Sequence, residues 1–197
     1  MPKTEKLFSK VMMIIFLALI VLGFTIPGFI NNSAPALNQA SNSVEPRLCK
    51  TDADCYLTCD NQPLRALCWQ NLCQQNECGP SYFEYDVEPA VEFKLEVETK
   101  NKIILTERTN SQNFFVEFLD GDRVKTHSPR LSLEMILGKA GIILADNCLR
   151  IDAQTYCSDA ERLLSILING QDVADPGSYI PNNGDEIKIG YGMFNEI

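Results

Sequence analysis

The 197-residue chain has one histidine, one tryptophan, and fewer lysines and arginines (17) than aspartates and glutamates (26). Each shortage excludes something. Catalytic zinc takes two or three His or carboxylate ligands, so His127 alone makes a poor centre. A Ser-His-Asp hydrolase would have to use His127 beside Ser128, and no G-x-S-x-G elbow is present to hold a nucleophile. In its Lys-Thr-His-Ser-Pro-Arg setting, His127 is expected to be a solvated loop residue. There is no Walker A sequence, no G-x-G-x-x-G and no C-x-x-C, which removes nucleotide-binding and thioredoxin-type readings. The formal net charge of −9 argues against nucleic acid, whose affinity rests on Lys and Arg placed on phosphates. No cofactor, no metal and no catalytic residue is expected.

Charge is also unevenly spread. Residues 11–30 hold twenty consecutive uncharged, mostly apolar positions, about 30 Å of helix and the thickness of a bilayer's hydrocarbon core. Lys3, Lys6 and Lys10 precede the run, and the next basic residue is Arg47. The positive-inside rule then places residues 1–10 in the cytoplasm as a short stub and everything after Ile30 outside. The expectation is a single-pass transmembrane signal anchor at the cell membrane. A cleaved secretory signal is the rival, with Ala34-Pro35-Ala36 as its loose cleavage site, but the run is longer than a usual signal core. Residues 31–48 are rich in Asn, Ser, Ala and Pro without helical or strand period, and read as a flexible linker. The part beyond the stub carries 14 basic and 25 acidic residues, a distinctly acidic ectodomain.

Six of the eight cysteines (Cys49, Cys55, Cys59, Cys68, Cys73 and Cys78) fall within 30 residues. Residues 49–80 contain few aliphatic side chains, so crosslinks must hold this module together. Zinc is the competing use of such thiols, but the spacings lack the paired C-x2-C knuckles of zinc modules and topology places them outside the reducing cytosol. Disulfides are expected. Six cysteines allow 15 pairings, and spacing does not choose among them. The module resembles small cysteine-rich knottin or defensin-like units in composition. Cys148 and Cys157 stand apart and are expected to close a local loop by pairing with each other.

Residues 88–197 carry strand and turn patterns. Val91–Glu98 alternates apolar and charged positions, as a half-buried strand does, which leaves Glu92, Glu96 and Glu98 on a solvated face. Residues 102–107, 114–119, 163–168 and 186–191 read as further strands. Asp120-Gly121-Asp122 reads as a turn, since it lacks the later ligands of a calcium loop. Ser132 can cap a helix whose Leu133, Ile136, Leu137 and Ala140 share a face, with Gly141 ending it. Strands, one helix, then strands imply an α+β class with the helix packed on a mixed sheet.

The segments Leu-Leu-Ser-Ile-Leu-Ile-Asn-Gly (163–170) and Gly-Ser-Tyr-Ile-Pro-Asn-Asn-Gly-Asp-Glu (177–186), after a single helix, resemble the closing half of a β-grasp domain. The likeness is to extracytoplasmic soluble-ligand-binding and transcobalamin carboxyl-terminal-like modules, and covers about residues 114–191. It implies a β-grasp-like sheet and a binding rather than catalytic role, with no ligand-contacting residue to carry over. The reading is a membrane-anchored extracytoplasmic binding or interaction protein whose partner is a protein, a glycan or a small ligand. The alternatives are a structural subunit of a membrane or envelope assembly, and a thiol–disulfide redox factor using Cys148 and Cys157.

Overall fold

The computed structural model describes Met12, Met13, Leu17, residues 45–145 and residues 147–193. Met12, Met13 and Leu17 are helical and exposed. The described residues from 45 onward form one compact unit, in which the cysteine-rich segment and the sheets pack together.

The cysteine-rich segment is two small hairpins behind a 3-10 turn at Asp52–Cys55. Strand β1 (Leu57–Cys59) pairs with β2 (Gln62–Leu64), and β3 (Cys68–Trp69) with β4 (Leu72–Cys73). Both turns are two residues long with positive φ at each central position, Asp60-Asn61 and Gln70-Asn71. Such turns match the twist of the strands they join, and Asn and Asp tolerate the left-handed conformation they require.

The main sheet has six strands. They are β5 (Val91–Glu98), β6 (Val116–Leu119), β7 (Arg123–Thr126), β11 (Arg162–Ile168), β12 (Gln171–Asp172) and β13 (Glu186–Met193). Their order across the sheet is β12-β11-β13-β5-β7-β6, with β5 and β13 parallel at the centre and the other neighbours antiparallel. Alternation decides which face is buried. Phe93, Leu95 and Val97 of β5 and Ile187 and Ile189 of β13 point into the core, while Lys94 and Glu186 pair outside at 2.9 Å. Against that face lies the helix Leu133–Lys139, capped by Ser132, whose Oγ accepts from Met135 N–H; Leu133, Ile136 and Leu137 are fully buried. Gly141, at φ +69°, turns the chain out of it.

Two parts of the expected class are corrected. The fold is predominantly β rather than α+β. The helix is only seven residues long, and the chain after it, expected to hold a local loop closed by one disulfide, forms a second antiparallel sheet of β8 (Ile142–Ala145), β9 (Cys148–Ile151) and β10 (Gln154–Cys157). The transmembrane helix is not found either. Among the described residues no helix is long and apolar enough to cross a membrane, and most of residues 11–30 lies outside them.

Residues 102–107 are not a strand. Lys102 makes one bridge to Glu98, and Leu105–Arg108 is a 3-10 turn that buries Leu105 and leaves Ile104 outside. The Asn-Gly and Gly-Asp-Glu turns are tied to each other. Asn169 accepts from Glu186 N–H and donates to Asp185, while Tyr179 O–H and Asn182 N–H also donate to Asp185.

Candidate functional site

All eight cysteines are in disulfides. Cys49 pairs with Cys68, Cys55 with Cys73 and Cys59 with Cys78, so each of the first three cysteines meets the one three places further on. Cys148 pairs with Cys157 directly across the β9–β10 ladder. The sulfurs of Cys49, Cys55 and Cys73 cluster, but each is already bonded, so they form no metal site. Four crosslinks are what an oxidising environment forms and keeps. Glu92, Glu96 and Glu98 lie on the solvated face, where Glu92 pairs with Arg123 and Lys125 and Glu96 with Lys102.

The disulfide-linked hairpins dock on the sheet through an anchor that the sequence did not reveal. Asp52 is fully buried and accepts four hydrogen bonds: from the backbone N–H groups of Cys68 (2.9 Å), Phe114 (2.8 Å) and Phe115 (3.3 Å), and from Lys139 Nζ (2.5 Å). Lys139 also donates to the Cys68 carbonyl. Burial pushes the Lys139 ammonium below the ordinary lysine range, and the Asp52 charge draws it partly back. Beside this pair the Trp69 ring lies so close to the helix that a Cβ on Gly138 would stand 2.5 Å from Trp69 Cζ3.

Docking creates a ridge with a groove on each side. On the ridge the Arg65 guanidinium carbon sits 4.6 Å from the ring centroids of both Tyr85 and Phe114, and Arg65 Nη1 donates to Tyr85 Oη. Tyr85 in turn stacks on His127, centroids 5.3 Å apart, and meets Phe115 edge-on. His127 is buried rather than solvated, which corrects the sequence expectation. Its Nδ1 donates to the Asp86 carbonyl at 2.8 Å, and its Nε2 lies 3.3 Å from Glu117 Oε1. Backbone bonds from Asp86 to His127 and from His127 to Phe115 complete the strut that fixes Tyr85. The imidazole therefore supports the ridge from behind.

The larger groove, about 620 Å³, runs between the cysteine-rich hairpins and residues 79–87, with Tyr56, Pro63, Arg65, Gln75, Phe83 and Tyr85 among its walls. Gln75 is buried there. Its Nε2 donates to the carbonyls of Glu77 and Gly79, which fixes the amide's orientation and leaves Oε1 without a partner among the described residues. The smaller groove, about 350 Å³, follows the sheet edge at β6 on the other side of Arg65 and Tyr85.

No family model, no curated protein and no solved structure matches this chain. The likeness of residues 114–191 to β-grasp modules therefore has only its motifs behind it.

Proposed function

We propose that this is an extracytoplasmic binding or interaction protein, non-catalytic, which acts at the outer side of a cell membrane and takes its partner at the Arg65 ridge. Oxidised cysteines support the compartment, and the apolar run at 11–30 after three lysines supports delivery across a membrane.

The observation that carries the site is Arg65 itself. A guanidinium held against two aromatic rings is positioned before any ligand arrives, and among the described residues no carboxylate pairs with it. A half-buried arginine between two grooves, in a chain of net charge −9, has acids in plenty to pair with and is left open instead. Conformational entropy already spent in folding need not be spent again on binding.

Val87, exposed on the rim of the larger groove, gives the test. A photo-crosslinking amino acid at position 87 of the full chain in cells should yield a discrete adduct that disappears when Arg65→Gln is added. No adduct, or one indifferent to Arg65, refutes the reading.

A further inference from the structure

A second pocket, of about 400 Å³, opens where the β3–β4 hairpin meets the helix Leu133–Lys139. Trp69, Gln70 and Asn71 of the hairpin line it, with Lys50, Asn113 and Glu134 around them. Gly138 lets the indole lie against the helix, since a Cβ there would stand 2.5 Å from Trp69 Cζ3. The ring is thereby held in place while the residue stays only half-buried. Lys50, Gln70 and Asn71 are exposed and Asn113 and Glu134 half-buried, so each is open to a ligand. None of these five polar side chains makes a hydrogen bond or ion pair with another described residue. The fold gives them no task.

Their chemistry restricts what can fill the pocket. Lys50 only donates, Glu134 only accepts and the three amides do both, so the ligand must bring several donors and several acceptors close together. A purely apolar molecule would leave them unpaired at a cost in free energy. Lys50 and Glu134 carry opposite charges, so a ligand of either charge gains from one and loses to the other. The indole asks for an apolar face of about its own size. A pyranose ring meets all these demands: a hydroxyl on almost every carbon, each both donor and acceptor, no net charge, and a face of C–H bonds. A peptide backbone offers one donor and one acceptor per residue, too sparse for five polar partners around one ring.

We propose that this pocket binds a neutral saccharide, with one pyranose stacked on Trp69 and its hydroxyls on the amides of Gln70, Asn71 and Asn113. The site is separate from the Arg65 ridge and stands without it.

The test is calorimetric titration of the full chain, held in a detergent without a sugar headgroup, with neutral di- to tetrasaccharides of glucose, N-acetylglucosamine, mannose and galactose. Trp69 is the only tryptophan, so its emission follows the same titrations. At least one series should bind saturably, with a dissociation constant of about 1 mM or tighter and a change in that emission. Preference for glucose or N-acetylglucosamine points to a structural polysaccharide, and for mannose or galactose to glycans carried on proteins or lipids. Glucitol, which has the hydroxyls without the ring, should bind at least about tenfold more weakly.

Gln70 and Asn71 have φ of 51° and 62°, a conformation that glycine adopts freely. Gln70→Gly and Asn71→Gly therefore remove the amides and keep the turn. Each, like Asn113→Ala, should weaken the preferred saccharide about threefold to tenfold, the scale of one neutral hydrogen bond, while Arg65→Gln should leave it unchanged. The proposal is overturned if no saccharide binds up to about 10 mM, or if one binds without altering the Trp69 emission. It is equally overturned if the three truncations leave affinity unchanged, if Arg65→Gln abolishes binding, or if capped dipeptides bind where no saccharide does.

Discussion

Replacing Asp52 by alanine should cost more than any other single change in the docking face, and more than replacing its ionic partner. Asp52→Ala strands the Lys139 ammonium, whose side chain is 7% exposed, and orphans the N–H groups of Cys68, Phe114 and Phe115. Breaking a buried pair by removing one partner costs about 3–5 kcal/mol, and each orphaned donor adds up to about 1–3 kcal/mol where water cannot reach it. A loss of at least about 6 kcal/mol follows, a large part of the 5–15 kcal/mol that holds a typical domain together.

Lys139→Met differs in kind. Asp52 keeps its three backbone donors, and the methionine fills the space of the lysine stem, so the loss should be only about 1–3 kcal/mol. In Asp52→Ala with Lys139→Met the stranded charge is gone, and the double variant should be more stable than Asp52→Ala alone by about 1–2 kcal/mol. Urea unfolding with the disulfides intact gives these values from midpoints, provided the slope of the transition is unchanged. The reasoning is refuted if Lys139→Met costs as much as Asp52→Ala, or if the double variant is less stable than Asp52→Ala.

Two further predictions test the same framework. Gly138→Ala puts a methyl group 2.5 Å from Trp69 Cζ3, so despite alanine's better helix propensity it should destabilise by about 1–2 kcal/mol. Trp69 is the only tryptophan, so its emission should shift to the red as the ring is pushed outward; an unchanged spectrum with raised stability would show that the ring gives way freely. Asp185 resists protonation: burial pushes its pKa up, but the hydrogen bonds from Tyr179, Asn169 and Asn182 outweigh it and hold the carboxyl below its ordinary value of 3.8. A carboxylate lowered in the folded state adds stability above its unfolded pKa and loses it as pH falls through the folded one. Wild type should exceed Asp185→Asn by about 1–3 kcal/mol near pH 7, and the gap should narrow as pH falls below about 3.8; a gap that is the same at pH 7 and pH 2 would refute it.

Alternation and turn chemistry made the main sheet legible. Val91–Glu98 has the bounds its apolar-charged pattern implies, because a strand at the centre of a one-sided sheet must bury every second residue. Ser132 and Gly141 bracket the helix through capping geometry, which depends only on neighbours in the chain. What failed were segments whose pattern is short or ambiguous. Ile103, Ile104 and Leu105 look like a strand interior, yet Lys102 Nζ reaches Glu96 and Asp122, two strong acceptors that hold it up to about 12, and the chain turns there. Ile142 and Leu144, then Leu149 and Ile151, alternate over only four residues each; two cysteines nearby drew the reading towards a bridged loop and away from a second sheet.

The candidate site was hidden for a different reason. Asp52 and Lys139 are 87 positions apart, and Arg65 meets Tyr85 across 20 and Phe114 across a longer stretch still. Charged residues at such separations read as solvated surface until a fold brings them together. The bridges of Cys49, Cys55 and Cys59 do part of that work, since each closes a loop of 18 or 19 residues and contributes about 3 kcal/mol by restricting the unfolded chain. A segment this poor in aliphatic residues can then hold Arg65 rigidly without a core of its own, borrowing the sheet's core through Leu67 and Trp69. Crosslinks and borrowed core leave the exposed side of the hairpins free of structural duty, which is why its aromatic and polar side chains can line a groove instead of filling one.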